Sequence, residues 1–132
     1  MAQQQIELIL MRELASCLAT PIFVVAPDGG LLYYNEPAEQ LLGTRFEETG
    51  AMPMAEWSTV FVPTDEDGRA LPPEELPLVI ALQQQRPAHG IFWIRGMDGI
   101  ARKLEVAALP LRGHAGRDLG AAAIFWELDQ EE

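Results

Sequence analysis

Apolar residues recur at helical spacing from the start of the chain. Ile6, Ile9, Leu10, Leu14, Cys17 and Leu18 share one stripe while Glu7, Arg12 and Glu13 fall mostly off it, which predicts an amphipathic helix over residues 4–19. Pro21 ends that helix, because the residue before a proline is driven out of the helical region. The pattern then changes period. Ile22 to Ala26 is a β-branched and aromatic run, Asp28-Gly29-Gly30 supplies a tight turn, and Leu31 to Tyr34 is a second short run, together a hairpin signature. Asn35 suits the N-cap of a short helix through Leu42, with Pro37 tolerated in its first turn and Gly43 as its stop.

From Thr44 to Pro73 the periodicity is broken by Pro53, Pro63, Gly68 and the Pro72-Pro73 pair. Short helical turns and loop are expected there, with Phe46, Met52, Met54, Trp57 and Phe61 turned toward the core. Glu74 to Gln85 reads as a regular helix with a Leu78, Val79 and Leu82 stripe and acidic residues at its start. Three strands follow, Gly90 to Gly96, Ile100 to Pro110 and Leu119 to Leu128, separated by Met97-Asp98-Gly99 and by the polar loop from Arg112 to Asp118. Segregated strands and helices indicate an α+β domain with an antiparallel sheet. The first hairpin is too small to stand alone, so it is expected to join the later strands in one five-stranded sheet.

Alternation along the strands divides the sheet into two faces. Leu104, Val106 and Ala108 alternate with Lys103, Glu105 and Ala107, which sets even positions inward. Carried to the flanking strands, that parity turns Phe92, Ile94, Ile124 and Trp126 inward. It turns Ile91, Trp93, Leu109, Ala121, Ala123 and Phe125 outward. An outer face with that much apolar surface is expected to be a contact.

Length and charge narrow the picture. The 132 residues make one domain: a leading helix over 1–19, a folded body over 20–128 and an acidic tail over 129–132. The net charge of −11 argues against nucleic acid and against an anionic membrane surface, both of which need a basic face. The longest charge-free run, Leu14 to Pro27, contains Ser16, Thr20 and Pro21 and falls short of the ~20 apolar residues of a spanning helix. The single cysteine, Cys17, cannot form an internal disulfide, which fits a reducing compartment. A cytoplasmic protein is expected.

At this point the motifs resemble those of a PAS domain. Residues 21–43, PIFVVAPDGGLLYYNEPAEQLLG, resemble the family's opening of strand, Asp-Gly turn, strand, asparagine, short helix and glycine. Residues 67–82, DGRALPPEELPLVIAL, resemble the proline-flanked helix of many bacterial sensor PAS domains. MDG before a long strand, ALPLRGHAGRDLG as a hairpin and a last strand ending near Trp126 complete the order. Two departures stand out: Ala26 replaces the acidic residue often found at the end of the first strand, and Glu127-Leu128-Asp129 replaces the usual Asp-Ile-Thr exit. The resemblance implies a sensory or interaction module whose output, in a kinase or regulator, lies in another chain or in residues beyond this sequence.

Cofactor chemistry finds little to hold it. The flavin photosensor subclass needs a cysteine in Asn-Cys-Arg-Phe-Leu-Gln, and the corresponding Gly43-Thr44-Arg45-Phe46-Glu47-Glu48 keeps only Arg-Phe. Haem needs an axial ligand, and residues 74–86 contain no histidine; His89 follows the helix and His114 lies in a polar loop. Pro63-Thr64-Asp65-Glu66-Asp67-Gly68 with Glu74 only partly matches a calcium loop, since Pro63 has no ligand side chain at the first position. No Gly-x-Ser-x-Gly and no phosphate-binding glycine loop is present. The expectation is therefore no catalytic residue, no metal and no cofactor.

The resemblance also implies where a ligand and a partner would sit. The inner face under the helices is the family's ligand site, which makes Leu42, Met54, Trp57, Leu78, Leu82, Phe92, Ile94, Leu104, Val106, Ile124 and Trp126 the pocket candidates, with a small apolar metabolite as occupant. A filled core with no ligand is the competing reading, and a free-standing metabolite-binding protein is the alternative function. The leading helix could cover its own sheet or cross to a second copy, and the resemblance favours a homodimer through Ile6, Leu10, Leu14 and Leu18 of that helix and Ile91, Trp93, Leu109 and Phe125 of the outer face.

Overall fold

The computed structural model describes residues 19–128. The leading-helix residues, Cys17 and the acidic tail lie outside the described residues. In chain order the elements are β1 (Ile22–Val25), β2 (Leu31–Tyr34), α1 (Glu36–Leu42), α2 (Phe46–Thr49), α3 (Met54–Val60), a 3-10 turn (Pro73–Glu75), α4 (Pro77–Gln84), β3 (Ala88–Arg95), β4 (Ala101–Arg112) and β5 (Asp118–Glu127). The five strands form one sheet in the order β2-β1-β5-β4-β3, and every pair is antiparallel. The last strand thus lies between the first hairpin and β4, closing the sheet around the middle of the chain.

Local chemistry accounts for the elements. In the β1–β2 turn the Asp28 carboxylate accepts from the Gly30 N–H at 2.8 Å, so Asp28 holds this turn although Ala26 is not acidic. Asn35 caps α1, its Oδ1 accepting from Ala38 N, and α1 ends on Gly43 at φ 77°. The predicted Glu74–Gln85 helix is in fact two pieces. Leu76 is extended (ψ 136°) because Pro77 follows it, so a 3-10 turn precedes an α-helix that opens on the proline.

The register corrects one part of the face assignment. β3 and β4 pair Phe92 with Leu104, even with even, so parity carries between them. β4 and β5 pair Val106 with Phe125 and Ala108 with Ala123, even with odd. Partners across a ladder share a face. The inner residues of β5 are therefore Ala121, Ala123 and Phe125, all buried, and Ile124 and Trp126 lie on the outer face. Phe125 is a core residue and not part of the outer surface.

The core fills the space between the inner face and the helices. Phe23, Val25, Leu31, Tyr34, Trp57 and Phe125 are among its buried members. A smaller apolar cluster, Ile22, Val24 and Ala122, lies on the other face of the sheet. Among the described residues no helix is long and apolar enough to cross a membrane.

Candidate functional site: an apolar cavity under the helices

Short helices joined through proline-broken loops do not fill the inner face of the sheet evenly. A cavity of about 90 Å³ remains, lined by Phe23, Leu42, Trp57, Phe61, Pro63, Leu76, Pro77, Leu78, Phe92, Ile94, Leu104, Val106, Ala123 and Phe125. Every lining side chain is a hydrocarbon except Trp57. The indole Nε1 of Trp57 already donates to Gly29 O at 2.7 Å, which ties α3 to the β1–β2 turn and leaves the ring to face the cavity. Phe23 braces that ring edge-on, with centroids 5.5 Å apart, and stacks on Tyr34 at 5.7 Å. Phe92 alone among the lining residues is half-exposed; it stands on the edge strand β3 and marks the opening.

Of the pocket candidates, Leu42, Trp57, Leu78, Phe92, Ile94, Leu104 and Val106 line this cavity. Met54 and Leu82 do not; both pack over Gly29 at the hairpin turn. Ile124 and Trp126 lie across the sheet, for the reason of register given above. Sequence reasoning missed Phe23, Pro63, Leu76, Pro77, Ala123 and Phe125 as lining residues, and Phe61 was assigned only to the general core. Phe23 had a signal, since it sits at an inward position of the first hairpin, whereas the prolines carried none.

The end of α1 beside the cavity is clamped by the β3–β4 hairpin. Leu42 O accepts from Met97 N at 2.8 Å, and Leu41 O accepts from the Arg102 guanidinium at 2.8 Å. Arg102 also pairs with Asp98 at 3.0 Å, and this hydrogen bond holds the Asp98 carboxyl below its ordinary range. Burial pushes the Tyr34 phenol up from its ordinary value; its hydroxyl donates to Thr44 O at 3.0 Å.

Neither a flavin nor a haem fits these residues. Both need polar partners or an axial ligand atom, and the lining has only hydrocarbon and an indole nitrogen already engaged. Arg45 and Phe46, the retained part of the photosensor motif, lie outside the lining, and Arg45 pairs with Glu47 at the surface. The acidic turn after Pro63 uses its own carboxylate: Asp65 Oδ1 accepts from Asp67 N and Arg69 N, each at 2.9 Å. Among the described residues no cluster of three or more His, Cys, Asp or Glu side chains could hold a metal ion.

No family model and no curated protein matches the chain. Its structure does have close counterparts, and they define the class: this is a PAS fold. The PAS domain of a Colwellia psychrerythraea protein superposes with a TM-score of 0.65 at 17% identity, covering 94% of this chain and 98% of the other. A PAS domain from a two-component sensor histidine kinase gives 0.61 at 14% identity, covering 94% and 98%. The Rhodobacter sphaeroides LOV protein gives 0.72 at 13% identity, covering 97% of this chain and 69% of that one.

Proposed function

We propose that the chain is a sensory PAS module that acts by pairing with a second copy and by contact with a signalling partner, a kinase or a regulator, and that it is not an enzyme. The carrying observation is the outer face of the sheet. Trp126, Glu105 and Ile91 form one row across β5, β4 and β3, and Leu109 lies beside Ala122 two rows away. Ile91, Leu109 and Trp126 are exposed large apolar residues, and Trp93 adds a half-buried indole. Water-facing sheet surfaces are ordinarily polar, so this one has the composition of a contact. A solved neighbour named as a sensor histidine kinase domain supports the signalling setting. In this arrangement the inner cavity receives the signal and the outer face delivers it.

The alternative is a free-standing protein that holds a small metabolite, which the cavity favours. Light scattering separates the two. A dimer whose association is lost in Trp126→Asp supports the module, and a monomer at high micromolar concentration overturns it.

A further inference from the structure

We propose that the His89–Glu105 pair makes association through the outer face proton-dependent, so that two copies bind each other more tightly at about pH 6 than at about pH 8. This deepens the pairing reading above and rests on it. Position carries the inference. Glu105 stands between Trp126 on β5 and Ile91 on β3 in one row across the sheet, and its Oε2 meets His89 Nε2 at 2.6 Å. A second copy that covers Trp126 and Ile91 therefore covers Glu105 as well. The Glu105 side chain is only 26% exposed before anything binds, whereas that of His89 is 56% exposed. The carboxylate thus loses its remaining water in the seam, and among the described residues the imidazole is the group that meets it there.

Charge decides the sign. An ionised carboxylate taken out of water is costly unless a cation meets it. With His89 neutral, each copy buries a net negative charge, and two such charges share one seam. With His89 protonated, each pair is neutral overall and its hydrogen bond is charge-assisted. Pairing therefore takes up a proton at His89, and by linkage the state that binds more protons gains as pH falls. The flanking charged groups have partners of their own. Lys103, next along β4 on the same face, is held by Glu66 at 3.2 Å; Arg95, toward the far end of β3, donates to Gly99 O; Arg86, ahead of β3, donates to Gln84. Beyond Glu105, β5 and β1 bring apolar side chains to this face, Trp126, Ile124, Ile22 and Val24 among them. Lysine, arginine and carboxylate side chains ordinarily keep their charge from about pH 6 to pH 8, which leaves histidine as the titrating type here.

Sedimentation equilibrium of the whole chain at about pH 6 and pH 8, in ~0.3 M salt to screen repulsion between the acidic copies, reads the effect. The parent should associate at least ~10-fold more tightly at the lower pH. His89→Gln keeps a hydrogen-bond donor but cannot take a charge, so its pH dependence should fall below about twofold. Glu105→Gln removes the charge from the seam, so it should associate at the higher pH at least as tightly as the parent and lose the pH dependence. Circular dichroism at both pH values checks folding, and if one variant does not fold the other decides. A parent dimer equally tight at both pH values, or the parent's pH dependence retained in a folded His89→Gln or Glu105→Gln protein, overturns the proton linkage and leaves the pairing standing. A parent that is monomeric at both pH values at high micromolar concentration overturns the pairing, and this inference with it.

Discussion

Asn35 joins three parts of the chain with one fully buried side chain. Its Oδ1 accepts from Ile22 N at 3.0 Å and Ala38 N at 3.2 Å, and its Nδ2 donates to Thr20 O at 2.9 Å. The cap on α1 was legible from residue type alone, whereas the bonds to Thr20 and Ile22 depend on where β2 delivers the side chain. Asn35→Ala strands two N–H groups and a carbonyl, which should cost about 3 kcal/mol in urea unfolding. A loss under 1 kcal/mol would mean water replaces the amide. Ser58 is the opposite case. Its hydroxyl is buried with no hydrogen-bond partner among the described residues, so Ser58→Ala removes a desolvated polar group and should stabilise by about 1 kcal/mol. A destabilised alanine variant would show that the hydroxyl does have a partner.

At the scale of elements, turn chemistry and capping were legible because they are written in adjacent residues. Asp28-Gly29-Gly30, Asn35 with Gly43, and Met97-Asp98-Gly99 all lie where their local chemistry predicts. What sequence could not give was register across the long β4–β5 hairpin. Partner numbers there sum to an odd total, as in Val106 with Phe125, and a shift of one residue exchanges every side chain between faces. Apolar alternation offered no warning, since Ala121 to Trp126 is apolar at every position. The clamp from Arg102 to α1 was likewise hidden, because the two elements are far apart in sequence. It has a pH consequence. The Asp98 carboxyl is lowered in the folded state, so its contribution is complete above the unfolded value and lost as pH falls through the folded one. Asp98→Asn should therefore be less stable than the parent at neutral pH and lose less stability on acidification from about pH 5 to pH 2. Parallel acid-side slopes of the urea midpoint in the two proteins would refute the clamp.

For the whole molecule, the sheet separates two apolar surfaces of different kinds. The inner one is enclosed by helices; the outer one presents Trp126, Ile91 and Leu109 to solvent. Few charges relieve it: Glu105 is engaged by His89 at 2.6 Å, and Lys103 by Glu66 at 3.2 Å. Pairing two such faces removes large apolar side chains from water, and it carries Glu105, which stands between Trp126 and Ile91, into the seam with its contact to His89. Against it stands electrostatics, since two copies at −11 each repel one another. The proposed dimer should therefore tighten as ionic strength rises from about 0.02 to 0.3 M, because salt screens the repulsion while apolar burial persists. Trp126 lies at the end of the exposed row, where Trp126→Asp replaces a large apolar ring with a charge. Loss of a large aromatic anchor from an interface costs about 2 kcal/mol or more, so association should weaken ~30-fold at least. Phe125→Asp, one residue away but facing inward, should instead unfold the domain. Sedimentation equilibrium of the two variants, with circular dichroism for folding, tests the assignment directly. A folded Trp126→Asp protein that associates as tightly as the parent would remove the outer face from the interface.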